Sequence, residues 1–338
     1  MGRVYWYCWP CILLAFVFHL LHRVLQGVHN RRFRKQAPQV PVTEVPIFVI
    51  GFWRSGTSLL HELMTLDPRH AAPTSYECFC PLHFLAAGPI IKRLMARQPK
   101  ESRPMDDMKI GPDSPQEDEF ALLLKGVPSP YETLGFPNDP CPNPHLLDVR
   151  KLPAADLARW KAALLEFVQQ VQFVRRRRLV LKSPTHTARV EVLAEIFPGA
   201  RFLHIIRDPY DLFSSNRKLM RSLAPLFTLE KASLANLDAT IFENYRLMHE
   251  HVEAAKLLLP PGHFHQLRFE DLVKDPQGEM RKAYDGLGLD GFEEVRPNLE
   301  KYFAERADHK VDNYQLSDAE RTAVRQHWGH ILHQYAYE

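Results

Sequence analysis

Residues 51–58 (GFWRSGTS) have the composition and spacing of an anion-binding loop. They follow the apolar run 47–50 and precede residues 59–66, whose leucines recur at helical spacing. Backbone N–H groups and the helix dipole at such a helix start favour negative charge. The glycines match the spacing of nucleoside-triphosphate loops, but Thr57 replaces the lysine and Arg54 lies mid-loop. The segment therefore predicts a phosphate loop without the triphosphate apparatus; the alternative is an ordinary strand–turn–helix with a chance glycine pair.

A second candidate anion site follows the apolar run 202–206. Arg207 ends that run, Asp208 is a suitable helix N-cap, and Pro209 suits the first helical position. Ser215 lies two helical turns beyond Asp208, so its hydroxyl faces the helix entry. An arginine and a hydroxyl on one side form a phosphate clamp, although Arg207 as a surface capping residue is the alternative.

A lysine that ends another apolar run is a candidate for a role in group transfer. Lys182 follows residues 179–181 and lies four residues before His186. A lysine near a bridging oxygen can stabilise a leaving group, and an imidazole titrates near neutrality and can take a proton. The alternative is a solvated lysine at a strand tip.

The elements that position these residues alternate along the chain. Strands are predicted at 47–50, 179–181, 202–206 and 264–269, and helices at 55–66, 153–174, 185–196 and from 209 onwards. This alternation indicates an α/β fold in which a parallel sheet is covered on both faces, with ligands at the carboxyl ends of its strands. Residues 81–150 are proline-rich and predicted irregular, apart from a short helix near 117–125.

The combined motifs resemble those of sulfotransferases that use 3′-phosphoadenosine 5′-phosphosulfate (PAPS). Residues 54–58 resemble the family's 5′-phosphosulfate loop, and the wording GFWRSGTSLLHEL is similar to the bacterial-type branch related to tyrosylprotein sulfotransferases. Arg207 and Ser215 match the eight-residue spacing of the family's 3′-phosphate pair. Residues 181–186 resemble its LKSPxH segment, and residues 268–276 its RYEDLVxDP segment, with Phe269 in place of tyrosine.

The resemblance implies a three-layer α/β fold of the P-loop nucleotide-kinase type and transfer of a sulfuryl group from PAPS to a hydroxyl or amine. Adenosine 3′,5′-bisphosphate is released, and in-line displacement requires no metal. The nucleotide would be held by Arg54, Ser55, Gly56, Thr57, Ser58, Arg207 and Ser215.

Three residues are candidates for handling the acceptor proton in such a reaction. Glu77 resembles the family's base, His186 is the second candidate, and Glu117 lies in a segment resembling an acidic motif that positions the acceptor. Two other functions stay open: a P-loop kinase of a small molecule, and a non-catalytic nucleotide-binding module.

Composition argues against nucleic acid as a partner. Residues 1–43 hold six of the 43 basic side chains and no acidic one, so the remainder carries 37 basic against 40 acidic residues. No basic stripe interleaved with aromatics is present, so nucleic acid is not expected as a partner. The expected acceptor is a small molecule, lipid or carbohydrate. Five clustered cysteines do not form a disulfide framework, which favours a reducing compartment.

The N-terminal segment predicts membrane association. Residues 4–21 are uncharged, at the lower length limit for a spanning helix, and Arg23 and residues 31–35 add positive charge. This places the enzyme body on the cytoplasmic face of a membrane. A spanning anchor, an interfacial or partner-docking helix, and a helix packed on the body remain alternatives. The predicted organisation is a membrane-associated segment at 1–38 and a catalytic domain at 39–338.

Overall fold

The computed structural model describes residues 4–33, 42, 44–95, 101–103, 106–138, 144–231, 233–306 and 316–337. Its α-helices are α1 (Trp9–Phe33), α2 (Thr57–Thr65), α3 (Ser75–Phe79), α4 (Phe84–Met95), α5 (Asp118–Leu124), α6 (Pro144–Leu147), α7 (Ala154–Arg175), α8 (Val190–Ile196), α9 (Pro209–Phe227), α10 (Leu237–Lys256), α11 (Phe269–Lys274), α12 (Pro276–Gly286), α13 (Phe292–Ala304) and α14 (Asp318–Gln334). Its strands are β1 (Ile47–Ile50), β2 (His70–Ala71), β3 (Glu101–Arg103), β4 (Asp106–Ile110), β5 (Arg178–Lys182), β6 (Arg201–Ile206) and β7 (Phe264–Arg268).

The chain forms two compact units, each assembled from separate stretches of sequence. The first unit comprises Met1–Glu44, Ala72–Leu179 and Arg221–Ala235. The second comprises Val45–Ala71, Val180–Met220 and Asn236–Glu338. The predicted boundary at residue 38 lies outside the described residues and stays a prediction.

A parallel sheet organises the second unit. Among the described residues, five strands form it in the order β2-β5-β1-β6-β7. β1 pairs in parallel with β5 and with β6, and β6 pairs in parallel with β7. Val49 is opposite Lys182 and Ile50 is opposite His204, so β5, β1 and β6 end at the same edge. The predicted parallel sheet is confirmed, and its register brings the segments after these three strands together.

Helices cover both faces of this sheet, which confirms the predicted three-layer arrangement. β1 is buried at all four positions, as expected for a central parallel strand. Ile47 and Val49 on one face pack in a core with Leu60 of α2 and Met280 of α12. On the other face the Phe48 ring stacks on Phe202 with centroids 5.5 Å apart. Burying such a side chain contributes roughly 1.5–3 kcal/mol, so the strand is fixed from both sides.

The first unit is mainly helical. Trp160, Leu164, Phe167 and Val171 recur at helical spacing along α7 and are fully buried, and the helix lies within one residue of its predicted bounds. Residues 81–150 contain more regular structure than predicted, because α4, the antiparallel β3–β4 pair and α6 lie there in addition to α5. These elements are short and lie among prolines, so their hydrophobic patterns are too brief to predict from the sequence.

A histidine lies inside the second unit, on β6. Its Nδ1 is 3.1 Å from Gln266 Oε1 on β7, and burial lowers the pKa of His204 from 6.5 to about 4. The unfolded chain therefore binds a proton on His204 between these pH values while the folded chain does not. The folded state loses stability as pH falls from about 6.5 towards about 4.

We expect His204→Gln to remove part of this acid sensitivity, since glutamine does not titrate. The pKa difference corresponds to about 3 kcal/mol between these limits. Chemical denaturation from pH 7 to pH 4.5 should show a shallower decline in the free energy of unfolding for the variant. His333→Gln, at an exposed position, is the control and should keep the parental slope. Identical slopes in all three proteins would contradict the assignment.

Candidate functional site

The predicted phosphate loop connects β1 to α2 through an unusual backbone conformation. Gly51 and Gly56 have positive φ angles of 151° and 103°, and the non-glycine Arg54 has φ 70°. A left-handed conformation costs a non-glycine residue about 1–2 kcal/mol, and such strain concentrates at functional sites. Ser55 stabilises the turn because its N–H and its Oγ both donate to the Phe52 carbonyl, at 3.1 and 2.7 Å. The first N–H groups of α2 follow, and these have no acceptor within the helix.

Two side chains from other segments hold this loop in place. Thr187 Oγ1 accepts the Gly51 N–H at 2.8 Å and donates to the Gly51 carbonyl at 3.1 Å. Asn216 Nδ2 donates to the Trp53 carbonyl at 2.8 Å. Neither residue was predicted from sequence. The available signal was adjacency: Thr187 directly follows the predicted His186, and Asn216 directly follows the predicted Ser215. The loop is thus fixed by the segments that follow β5 and β6.

The two predicted anion pockets are in direct contact. Arg54 Nε donates to Ser215 Oγ at 3.0 Å, and Arg207 Nη1 donates to the Arg54 carbonyl at 3.2 Å. Arg207 is buried and its Nη2 also lies 3.4 Å from Asp211 Oδ2. Both guanidinium groups therefore belong to one region of the second unit, next to the start of α2.

An aromatic ring lies against both anion pockets. The Arg207 guanidinium carbon is 4.7 Å from the centre of the Phe269 ring, within cation–π range. A Cβ atom placed on Gly56 would be 2.5 Å from Phe269 Cδ2, so only glycine fits against the ring. Phenylalanine in place of the family's tyrosine therefore still contributes, through packing and cation–π contact.

The start of α9 is capped as predicted. Asp208 Oδ1 accepts the Tyr210 N–H at 2.8 Å. The Asp208 N–H donates to Glu270 Oε1 at 2.9 Å, and Tyr337 Oη donates to the other oxygen of Glu270 at 2.8 Å. Burial, with a smaller effect of Asp211 and Glu270, raises the pKa of Asp208. These bonds connect the start of α9, next to Arg207, to Glu270 of α11 and through it to Tyr337 near the C-terminus.

Lys182 and His186 follow the same strand but have different environments. Lys182 is 3% exposed, and its Nζ donates to Ser58 Oγ in the first turn of α2 at 3.3 Å. His186 is fully buried, with its ring edge-on to Phe48 at 5.5 Å. The lysine ammonium group is therefore beside the phosphate loop, whereas the histidine packs in the core.

The glutamate candidates lie in the first unit and have structural partners. Glu77 is 2% exposed; its Oε2 accepts the Thr74 N–H at 2.8 Å in a capping box, and its Oε1 accepts from Arg175 Nη2 at 2.8 Å. The sequence signal for this cap is Thr-x-x-Glu. Glu117 precedes α5 and accepts a hydrogen bond from the Tyr131 hydroxyl. The structure thus brings Arg54, Ser58, Lys182, Arg207 and Ser215 together, and it shows bound partners for both glutamates.

Comparison with known proteins gives the family. Residues 46–294 match the sulfotransferase family. This chain belongs to that family. It is 40% identical over 309 residues to the omega-hydroxy-beta-dihydromenaquinone-9 sulfotransferase Stf3 of Mycobacterium bovis, a match covering 90% of this chain and 79% of the relative. The Mycobacterium tuberculosis Stf3 matches equally well.

Solved structures confirm the fold of this sulfotransferase. Sulfotransferase STF9 from Mycobacterium avium has a TM-score of 0.70 at 20% identity, covering 92% of this chain and 81% of the other. Sulfotransferase STF1 from Mycobacterium tuberculosis has a TM-score of 0.61 at 21% identity, covering 92% and 83%. The protein is a sulfotransferase, as predicted; neither a kinase nor a non-catalytic module is favoured.

Gly56→Ala tests the packing of the loop against Phe269. It should destabilise the fold by about 2–4 kcal/mol, because a positive φ becomes strained and the new methyl group overlaps the ring. The control is Gly126→Ala, which also has a positive φ of 75° but has nothing within 4 Å of the added carbon. That control should cost about 1–2 kcal/mol. Equal losses, measured by urea denaturation, would show that Phe269 does not close on the loop.

Proposed function

We propose that this sulfotransferase uses PAPS as its donor and releases adenosine 3′,5′-bisphosphate. The observation that carries the proposal is the contact between Arg54, Ser215 and Arg207, which joins two cationic pockets at the ends of adjacent parallel strands. A ligand that satisfies both pockets needs two anionic groups a short distance apart, as on an adenosine phosphorylated at its 3′ and 5′ positions. In the proposed complex residues 54–58 hold the 5′-phosphosulfate, and Arg207 and Ser215 hold the 3′-phosphate.

The chemistry follows from charge and position. The acceptor oxygen forms a bond to sulfur while the bond from sulfur to the bridging phosphate oxygen breaks, and that oxygen leaves with the electron pair. Lys182 and the N-terminus of α2 stabilise the negative charge that develops there. The acceptor proton passes to a base. All of these steps use side chains and backbone, so we expect the reaction to proceed without a divalent metal.

For the base we propose Glu77, with His186 and Glu117 as the alternatives. A general base needs a group that can accept a proton and reach the acceptor. His186 has its ring fully buried against Phe48, which disfavours direct contact with an acceptor. Glu77 also serves as a helix cap, so the test must separate its structural contribution from proton transfer.

For the acceptor we propose the hydroxyl group of a membrane lipid. The relative Stf3 is named for an omega-hydroxylated menaquinone, and 40% identity over most of both chains supports an acceptor of similar chemistry. Within the described residues, one helical stretch, Trp6–Phe33, is long and apolar enough to cross a membrane by length and composition. The enzyme would thus work at the cytoplasmic face of a membrane. Residues 81–150 are proposed to shape the acceptor pocket.

The donor proposal predicts a defined order of nucleotide affinities. Calorimetry should show that adenosine 3′,5′-bisphosphate binds without Mg²⁺ and more tightly than adenosine 5′-phosphate or ATP with Mg²⁺. Arg207→Gln should weaken the bisphosphate about 10- to 100-fold, the loss expected for a hydrogen bond to a charged group, and weaken adenosine 5′-phosphate less, through the lost bond to the Arg54 carbonyl. Arg246→Gln, at a surface arginine, is the control. Tighter binding of Mg²⁺–ATP would favour the kinase alternative.

The catalytic proposal predicts separate effects on turnover and binding. Lys182→Met should lower kcat about 10²- to 10³-fold, because a charge-stabilising donor is lost, with a smaller change in bisphosphate affinity. A non-catalytic module would show no turnover in the parent protein.

Glu77→Gln should lower kcat about 10²- to 10⁴-fold, because the proposed base is lost, while its amide oxygen can still accept the Thr74 N–H. The control is Arg175→Gln, which removes the ion pair and keeps the carboxylate. Equal kcat losses in the last two variants would make Glu77 structural only.

A further inference from the structure

We propose that α1 lies in the plane of an anionic membrane interface, with both of its ends attached to the first unit, and does not cross the bilayer. This inference deepens the proposed membrane association and rests on it. Contacts at the two ends of the helix distinguish the interfacial alternative from the spanning one.

The N-terminal end of the helix is attached to the first unit. The Tyr5 N–H donates to the Leu229 carbonyl at 2.9 Å, and Cys8 is 7% exposed. Leu229 belongs to the stretch Arg221–Ala235 of the same unit. The backbone bond fixes the position of the chain directly before α1.

The C-terminal half of the helix is attached to the same unit. The imidazoles of His22 and His83 approach to 3.0 Å between Nδ1 and Nε2. His29 is 3% exposed, and the Phe33 ring lies edge-on to Phe173 of α7 with centroids 6.2 Å apart. These contacts begin at His22 and extend to the end of the helix.

The attached ends leave too short a free segment to span a bilayer. Between Cys8 and His22 there are 13 residues, 9–21. As a helix they measure about 20 Å, against a hydrocarbon core of about 30 Å that requires roughly 20 residues. A helix with both ends on one folded unit also has both ends on one side of a membrane. The segment can therefore enter the interface from one side but cannot reach the other.

Most of the segment between the attachments is exposed and available to lipid. All residues from 13 to 21 are exposed, and most of them are large and apolar. The aromatic Trp6 and Trp9 are 79% and 61% exposed at one end, as in interfacial belts. Leu226 and Phe227, beside the Leu229 that binds Tyr5, are also exposed and extend the apolar surface. The exposed apolar surface of the first unit is therefore larger than the helix alone.

Charge indicates which surface this patch fits. Arg23, Arg31 and Arg32 are exposed on α1, and residues 1–43 contain no carboxylate. An apolar helix with basic residues and interfacial aromatics binds bilayers whose headgroups are anionic, because each basic residue is attracted to the negative surface. A second copy of this chain would present the same positive charge, so the lipid interface is the better complement.

The topology test uses a cysteine at each end of the helix. Val4→Cys and Asn30→Cys, each in the full chain, are labelled with a membrane-impermeant maleimide in inverted inner-membrane vesicles of the expressing bacterium. The parent protein gives the background from the native cysteines. We expect both positions to be labelled before detergent is added, with no further labelling of either after it. A helix that crosses the bilayer would protect one of the two positions until the vesicles are opened, which would overturn the proposal.

The binding test uses a matched pair of charge substitutions. The double variant Leu13→Glu/Phe16→Glu should bind phosphatidylcholine vesicles containing roughly 30% phosphatidylglycerol at least about tenfold more weakly than the parent. Leu257→Glu/Leu258→Glu changes exposed leucines outside α1 and should leave binding unchanged. Equal binding by all three proteins would overturn the proposal. The proposal would also be overturned if the parent did not bind vesicles but formed a dimer in sedimentation experiments, and the α1 variant abolished that dimer.

Turnover separates this inference from the proposed function. Sulfation of a short, water-soluble primary alcohol by PAPS should be the same in the parent and in the α1 double variant. Lack of turnover in the parent with every alcohol and lipid would count against the proposed reaction, while the labelling and vesicle results would still decide the position of α1.

Discussion

The arrangement of the site depends on Arg54, which contacts both halves of the proposed anion-binding region. Its side chain donates to Ser215, and its backbone carbonyl accepts from Arg207. These bonds require Arg54 to hold φ 70°, which costs about 1–2 kcal/mol unless other contacts stabilise it. The anchors on Gly51 and Trp53 supply that stabilisation, since each donates or accepts well-formed hydrogen bonds. The loop is thus preorganised, which would reduce the entropic cost of binding the proposed nucleotide.

The parallel sheet makes this arrangement possible. Because Ile50 lies opposite His204, the segments after β1 and β6 begin side by side. Because Val49 lies opposite Lys182, the end of β5 places the lysine at the same edge. Phe269 and Glu270, directly after β7, then support Arg207 and Asp208 respectively. The site is therefore assembled from the carboxyl ends of four adjacent strands, the usual position for ligands in open α/β sheets.

The sequence was sufficient to predict this edge of the sheet, and the reasons are local. Apolar runs predicted β1, β5 and β6 within one or two residues, and the two helical turns between Asp208 and Ser215 predicted that the Ser215 hydroxyl faces the helix entry. The glycine pair predicted the loop. Each of these signals depends on residues that are close together in the sequence, so it can be recognised without knowledge of the tertiary structure.

Contacts between distant segments could not be predicted in this way. Thr187, Asn216 and Phe269 support the loop through tertiary contacts that no local spacing encodes. The capping box at Glu77 is a different case, because its Thr-x-x-Glu signal is local in the sequence. The attachment of α1 at both ends depends on Leu229 and Phe173, residues far from it in sequence, so hydropathy alone left its relation to the membrane open.

The central claim is that the two cationic pockets form one site for one nucleotide. A crystal structure of the protein with adenosine 3′,5′-bisphosphate tests it most directly. We expect one molecule whose 5′-phosphate accepts bonds from the N–H groups at the start of α2 and whose 3′-phosphate contacts Arg207 and Ser215. A nucleotide with either phosphate in solvent, or two nucleotides occupying the pockets separately, would contradict it.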